Sequence, residues 1–255
     1  LFVTTMLQND SLINLLLTVA SVIIFSYFIW QIIREQNPAQ RKKMLVAVVL
    51  LIYAVVFFVI YQQKNTSFML FNKHHVNLLF FGWNINPQTV PGLLGTSGII
   101  LLSPIFAILY RKLGKNDLSL PHKFAIGLLM SASAYGLLYL VCLMTDPSQK
   151  ISFAWEILAI SVFFASAELL ISALGVSLMA QLVPDRMRGF AMGTWFITSA
   201  LGIKLGSYVA SLVANHRSTQ VGDTYDAAQQ IASFQSYQHL FGSIALFGLV
   251  AGLIA

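Results

Sequence analysis

Cysteine is nearly missing from this chain. The single Cys142 excludes an internal disulfide framework and leaves no thiolate cluster to hold a metal. Charge is scarce as well: Asp, Glu, Lys and Arg make up 9% of the 255 residues, where soluble globular domains carry about 25%. No phosphate-binding loop is present, which excludes an ATP-driven motor within these residues. No Ser-His-Asp or HExxH spacing occurs, so neither a hydrolase nor a metalloprotease has residues to rest on, and the chain is not read as an enzyme. The pair His74-His75 lacks a partner four positions on and is a poor metal site. Residue 1 is Leu and no basic stretch precedes the first apolar run, so the sequence is expected to be part of something longer.

What the chain has in abundance is apolar length. Hydrophobic residues reach 57% and mean hydropathy is +0.76, the composition of a polytopic membrane protein. A spanning helix needs roughly 20 mostly apolar residues, and seven segments qualify: about 11–33, 41–63, 87–111, 122–145, 152–182, 188–214 and 234–255. The first has Asn9, Asp10 or Ser11 available as N-cap, and Pro87, Pro91 and Gly92 disturb the first turns of the third. The stretch "NHRSTQVGDTYDAAQQ" reads as a solvated connection. The net charge of +6 does not indicate a nucleic-acid partner, because the basic residues sit in clusters between apolar runs. One set of connections holds Arg34, Arg41, Lys42, Lys43, Arg111, Lys112, Lys115, Lys123, Arg186 and Arg188. The other holds Lys64, Lys73, Lys150 and Arg217. The asymmetry predicts that the first set faces the cytoplasm.

Two charges fall deep inside spans, where ionisable groups cost at least ~2.5–3.5 kcal/mol and face a cavity, a partner or a pathway. They are Glu168, in "SAELLISALG", and Lys204, in "GTWFITSALGIKLGSYVAS". Glu156 lies near a helix end and calls for no special account. At 100° per residue Glu168 shares a face with Ser161, Ala165, Ser172 and Gly175, small and polar like the lining of a wet cavity. The opposite side carries Phe163, Leu170, Leu174 and Val176. Either the carboxylate serves a ligand or it is a helix-to-helix hydrogen-bonding group. Lys204 lies nine residues after Trp195, half a helical turn away, so the two cannot enter the same cavity. Lys204 either pairs with Glu168 or snorkels and bonds to neighbouring backbone. The glycine pairs Gly189/Gly193 and Gly202/Gly206 predict close helix approach on both faces of that span.

Four stretches together carry a family likeness. "FFVIYQQKNTS" (Phe57 to Ser67), "LLSPIFAILYRKLG" (Leu101 to Gly114), "LSLPHKF" (Leu118 to Phe124) and the long run "AELLISALGVSLMAQLVPDRMRGFAMGTWFITSALG" (Ala167 to Gly202) resemble the proton-dependent oligopeptide transporters of the major facilitator superfamily. The likeness is to the bacterial type with two extra helices between its six-helix halves. It implies an all-α membrane fold in which residues 1–40 form a linker helix and loop and residues 41–255 the C-terminal six-helix bundle. It also implies proton-driven symport of di- and tripeptides by alternating access in the bacterial inner membrane, with no cofactor and the proton as coupling ion. The partner would be an N-terminal six-helix half; its first-span Glu-x-x-Glu-Arg motif and fourth-span lysine do not occur in these residues. On this likeness Glu168 holds the peptide α-amino group, Trp195 walls the side-chain pocket, and Phe57, Phe58 and Tyr61 are aromatic positions of the seventh span. For these aromatics plain helix packing is the competing reading. Ser172, one turn beyond Glu168, stands where it can orient the carboxylate or touch substrate.

Two departures stand out. The usual aromatic-Glu-Gln of the seventh span is Tyr61-Gln62-Gln63 here, so a titratable group is replaced, leaving Gln62 and Gln63 with a coupling or a structural part. The Gln-x-x-Asn-Pro of the eighth span falls on Gly95-Thr96, counted back from Ser103-Pro104, so one partner of the peptide amine is missing. That change favours a second expectation, a transporter of another amine-bearing solute or drug on the same fold. A third, from another class, is a non-transporting membrane assembly module.

Overall fold

The computed structural model describes residues 10–80, 82–114, 117–215 and 226–255. Asn9, Lys115 and Arg217 lie outside the described residues. The chain is a bundle of long helices: α1 (Asp10–Arg34), α2 (Pro38–Gln62), α3 (Ser67–His75), α4 (Val90–Leu113), α5 (Leu120–Met144), α6 (Phe153–Glu156), α7 (Ala165–Leu182), α8 (Arg188–Asn215) and α9 (Ala227–Ile254). A 3₁₀ turn at Gln63–Asn65 joins α2 to α3, and a π-helical segment at Ile157–Phe164 joins α6 to α7. Among the described residues, six stretches are long and apolar enough to cross a membrane: Ser11–Arg34, Pro38–His75, Val90–Leu113, Pro121–Met144, Phe153–Leu182 and Ala227–Ile254. Helix α8 has the length, 28 residues. Its apolar run is interspersed with Thr194, Thr198, Lys204, Ser207 and Ser211.

Local chemistry explains the ends. Asn37 accepts from the amides of Ala39 (3.0 Å) and Gln40 (3.4 Å), and Pro38 occupies the first turn, where its missing N–H costs nothing. Helix α2 therefore begins three residues before the expected span. Asp226 and Gln229 form a reciprocal capping box at the start of α9. That places "AAQQ", read as loop from its polarity, inside the helix. Pro91 sits in the first turn of α4 and is tolerated there, while Pro104 interrupts the helix interior.

The strands are two residues long each. β1 (Val76–Asn77) pairs in parallel with β4 (Ile151–Ser152), and β2 (Leu79–Phe80) pairs antiparallel with β3 (Trp83–Asn84). Gly82 adopts φ 82° in the hairpin, a left-handed conformation suited to glycine.

Helix α5 packs chiefly on α9, and α2 on α8. One apolar cluster gathers Phe68, Phe71, Tyr135, Phe164, Phe234 and Phe241; another gathers Met44, Phe57, Phe58, Phe124, Met187 and Trp195. The Gly202/Gly206 pair meets α2: a Cβ on Gly206 would stand 2.7 Å from Gln62 Cβ and 2.8 Å from the Val59 carbonyl. A Cβ on Gly189 or Gly193 would meet nothing within 4 Å. Of the two close approaches expected, only the first is made within the described residues.

Helix α1 is peripheral. It is held at its C-terminal end, where Tyr27 and Phe28 pack on Phe190 (centroids 4.9 and 6.1 Å) and Ile32 is buried. Glu35 just beyond meets Arg186 at 3.5 Å. Leu12, Leu15, Leu16 and Val19 toward its start are exposed.

Candidate functional site

Glu168 lies in the first turn of α7, directly after the π-helical segment. Its Oε2 accepts a hydrogen bond from the Tyr61 hydroxyl at 2.9 Å. No ion pair within 4 Å reaches it among the described residues. Tyr61 in turn stands on α2 amid Phe57, Phe58 and Phe164 (centroids 5.6, 6.4 and 6.5 Å). Phe58 meets the edge of Trp195 at 6.0 Å, and Trp195 meets Phe124 at 6.0 Å. The residue that permits this stack is Gly175, since any Cβ there would overlap the Trp195 indole.

The expected residues therefore converge, but with different standing. Tyr61 and Glu168 are half-buried and meet at polar atoms. Phe57, Phe58 and Trp195 are core residues, 0%, 7% and 2% exposed, and here they serve helix packing. Ser172 is half-buried and forms no hydrogen bond with Glu168. Gln63 is buried; its Nε2 donates to the Gly206 carbonyl (2.6 Å) and its Oε1 accepts from Ser67 Oγ (2.9 Å). Gln62 Nε2 donates to Ser207 Oγ at 3.3 Å. Both glutamines thus bind α2 to α8.

Of the two readings of Lys204, the ion pair with Glu168 is not formed: Lys204 is exposed, on a side of α8 turned away from Trp195. Two sequence expectations change. The single small face predicted for Glu168 is divided. Ser161 Oγ donates to the Leu94 carbonyl of α4 at 3.0 Å, whereas Gly175 packs under α8. The π-helical segment has more residues per turn than an α-helix, so a 100° wheel cannot be carried across it. The second change is Lys64. Read as an outer-loop charge, it lies in the 3₁₀ turn and is 3% exposed, with Nζ 4.1 Å from the Tyr61 ring centroid. That ring carries the hydroxyl bonded to Glu168. The sequence carried a partial signal: no glycine or proline separates Gln63 from His75, so the chain passes Lys64 in a tight 3₁₀ turn and re-enters a helix at Ser67.

Glu156 was likewise undervalued. It is 0% exposed and neither carboxylate oxygen has a hydrogen-bond partner. His75, expected in a loop, ends α3 buried among Phe71, Phe234 and Tyr237, with Nε2 3.1 Å from Ser233 Oγ. No group of three metal-ligating side chains occurs among the described residues. A 540 Å³ cavity lies away from Glu168, lined by Asn72, Lys73, Asn77, Asn84, Asn86 and Lys150 among others. No carboxylate lines it, and its charged side chains are the lysines Lys73 and Lys150.

Residues 3–230 match the sequence profile of the POT family (PTR2). The chain is similar to dipeptide and tripeptide permease A of Chromobacterium violaceum, 35% identical over 98% of this chain and 48% of the relative. It is also similar to dipeptide and tripeptide permease B of Photorhabdus luminescens, 32% identical over 98% of this chain and 50% of the relative. The chain spans about half the length of the curated relatives it matches. Among solved structures, a POT family transporter in complex with a thioalcohol-conjugated peptide superposes with a TM-score of 0.72. That match has 23% identity and covers 99% of this chain and 49% of the other. At that identity the likeness concerns the fold.

Proposed function

The chain belongs to the POT family, a family of multi-pass membrane transporters and not of enzymes, and from that premise we propose that it is the C-terminal half of a proton-coupled di- and tripeptide symporter. Residues 1–40 would then be the linker helix and loop, and residues 41–255 the six-helix bundle. An N-terminal six-helix half of the same transporter completes the substrate cavity, and the two halves rock about it in alternating access. The loops carrying most of the Lys and Arg face the cytoplasm, as they would in a bacterial inner membrane. The exposed side of α8, with Gly193, Phe196 and Lys204, supports this arrangement, because it offers the other half a surface this bundle does not cover.

The observation that carries the reading is the pairing of Glu168 with Tyr61. A carboxylate inside a span, oriented by one hydroxyl and left without an ion pair, is built to receive a cation. Every unblocked peptide supplies an α-ammonium, and a charge-assisted hydrogen bond in a low-dielectric cavity is a strong one. Ser172 lies one turn on, within reach of the same substrate. Phe57, Phe58 and Trp195 act from behind, fixing the ring of Tyr61. Gln62 and Gln63 hold the site against α8. The proton, on this reading, is the coupling ion and competes with the ammonium for Glu168.

Gradient-driven uptake of tri-alanine by the full-length transporter in proteoliposomes tests this. Accumulation that needs an inward proton gradient and disappears in Glu168→Gln is the expected result. A Glu168→Gln variant that binds and accumulates the peptide like the parent would refute it. Gly95 supports a second reading, another amine-bearing solute, because it supplies no carboxamide beside the amine position. Uptake of a small non-peptide amine but of no di- or tripeptide would select it.

A further inference from the structure

Glu168 shares its surroundings with an ammonium that the chain itself provides. Lys64 is 3% exposed, and its Nζ stands over the Tyr61 ring at 4.1 Å, the ring whose hydroxyl bonds to Glu168. The space it fills is made by a glycine: a Cβ on Gly95 would come within 3.2 Å of that nitrogen. A buried ammonium is costly unless charge or ring partners compensate it. Here part of the compensation comes from the face of the aromatic ring whose hydroxyl bonds to Glu168, without an ion pair inside 4 Å among the described residues.

We propose that Lys64 is the resting counter-charge of Glu168 in the empty transporter, displaced by a substrate ammonium and returning when it leaves. The proposal rests on the reading of Glu168 as the amine site. Three features fit it. A lysine on a four-carbon stem is mobile and makes no fixed fork of bonds, so it yields its place at low cost. Its hold is a ring face and a Coulomb attraction, weaker than a hydrogen-bonded pair buried between helices. Its anchor is firm: the 3₁₀ turn that carries it is fixed by Gln63 bonding to the Gly206 carbonyl and to Ser67. A firm base with a loosely held tip is what a removable plug requires.

The consequence concerns the empty return step. Closing a cavity around an uncompensated carboxylate is strongly unfavourable. A bound peptide neutralises Glu168 in the loaded form, and Lys64 does so in the empty form. Lys64 therefore weakens peptide binding by like-charge competition and makes the empty return possible.

Three quantities measured on the full-length transporter separate these roles: equilibrium binding of tri-alanine, counterflow exchange in proteoliposomes, and net uptake under an inward proton gradient. In Lys64→Met, which keeps length and apolar fit, binding should tighten by about tenfold or more through loss of the like charge. Counterflow should persist and net uptake should fall to a small fraction of the parent. Weaker binding would mean that Lys64 touches an anionic group of the substrate, and it overturns the proposal. Unchanged binding with unchanged net uptake overturns it as well. In either case loss of binding in Glu168→Gln leaves the amine-site reading standing, whereas binding retained in Glu168→Gln refutes that reading itself. Should Lys64→Met fail to fold, Lys64→Gln, which removes the charge and keeps a polar tip, should likewise tighten binding and depress net uptake.

Discussion

Substituting Gly206 by Ala tests the packing that fixes the site. The added methyl would lie 2.7 Å from Gln62 Cβ, 2.8 Å from the Val59 carbonyl oxygen and 3.2 Å from Gln62 Cγ. Two of these neighbours belong to the stiff part of α2, so the helices must part; rotation of a side-chain tip cannot relieve the contact. Overpacking of this kind costs about 1–3 kcal/mol. Parting the helices also stretches the 2.6 Å bond from Gln63 Nε2 to the Gly206 carbonyl, and a buried carboxamide left unpaired costs about 1–3 kcal/mol more. Against this stands the gain of replacing glycine by alanine in a helix, about 0.8–1.0 kcal/mol. The net expectation is a destabilisation of about 1–5 kcal/mol. The assay is thermal unfolding of the detergent-solubilised full-length transporter, followed by size-exclusion fluorescence. The control is Gly92→Ala, where a Cβ meets nothing within 4 Å and the propensity gain acts alone. If Gly206→Ala proves as stable as Gly92→Ala, the close approach of α2 and α8 is not what holds the turn carrying Lys64.

Tyr61→Phe removes the donor to Glu168 Oε2; tri-alanine binding should weaken by up to about tenfold, the smaller end of what a bond to a charged group contributes. Calorimetric titration measures it, and undiminished affinity would show that the carboxylate needs no orienting hydroxyl. Ser161→Ala cuts the 3.0 Å bond between the π-helical segment and the Leu94 carbonyl, and should lower stability by about 0.5–1.5 kcal/mol in the same thermal assay. Glu156→Met replaces a fully buried carboxyl with two unpartnered oxygens by an apolar chain of similar length. It should raise the unfolding midpoint, since an unsatisfied buried polar group costs about 1–3 kcal/mol; a lowered midpoint would mean that the carboxyl has a partner in the membrane.

The spans were legible because twenty apolar residues in a row have few other uses, and α2, α5 and the run from α6 through α7 fall where that signal places them. Their caps were less so. Asn37 and the box of Asp226 and Gln229 extend helices into segments whose polarity reads as loop. The opposition of Trp195 and Lys204 followed from nine residues of plain α-helical geometry and holds. The face of Glu168 did not, because the register change at Ile157–Phe164 is a matter of backbone hydrogen bonding that side-chain periodicity does not record. Lys64 was misplaced for a related reason: charge marks a loop only when the chain leaves the helical run, and here a 3₁₀ turn leads from α2 into α3. The burial of Glu156 depends on which neighbours surround a helix end, and that is set by the bundle and not by local pattern.

Helix α1 is fastened by Tyr27, Phe28, Ile32 and the Glu35–Arg186 contact at one end, and by buried Ser21 at its middle. With a rise of about 1.5 Å per residue, its opposite tip stands roughly 16 Å beyond Ser21. It is a boom on a pivot: a change of about 10° at the base carries the tip about 3 Å sideways, by the same helical rise. The bundle therefore dictates where this helix starts to lean, and the surrounding lipid dictates where it ends. Cross-links placed near Ile32 should report one distance, and cross-links placed near Leu15 a distribution set by the thickness of the bilayer.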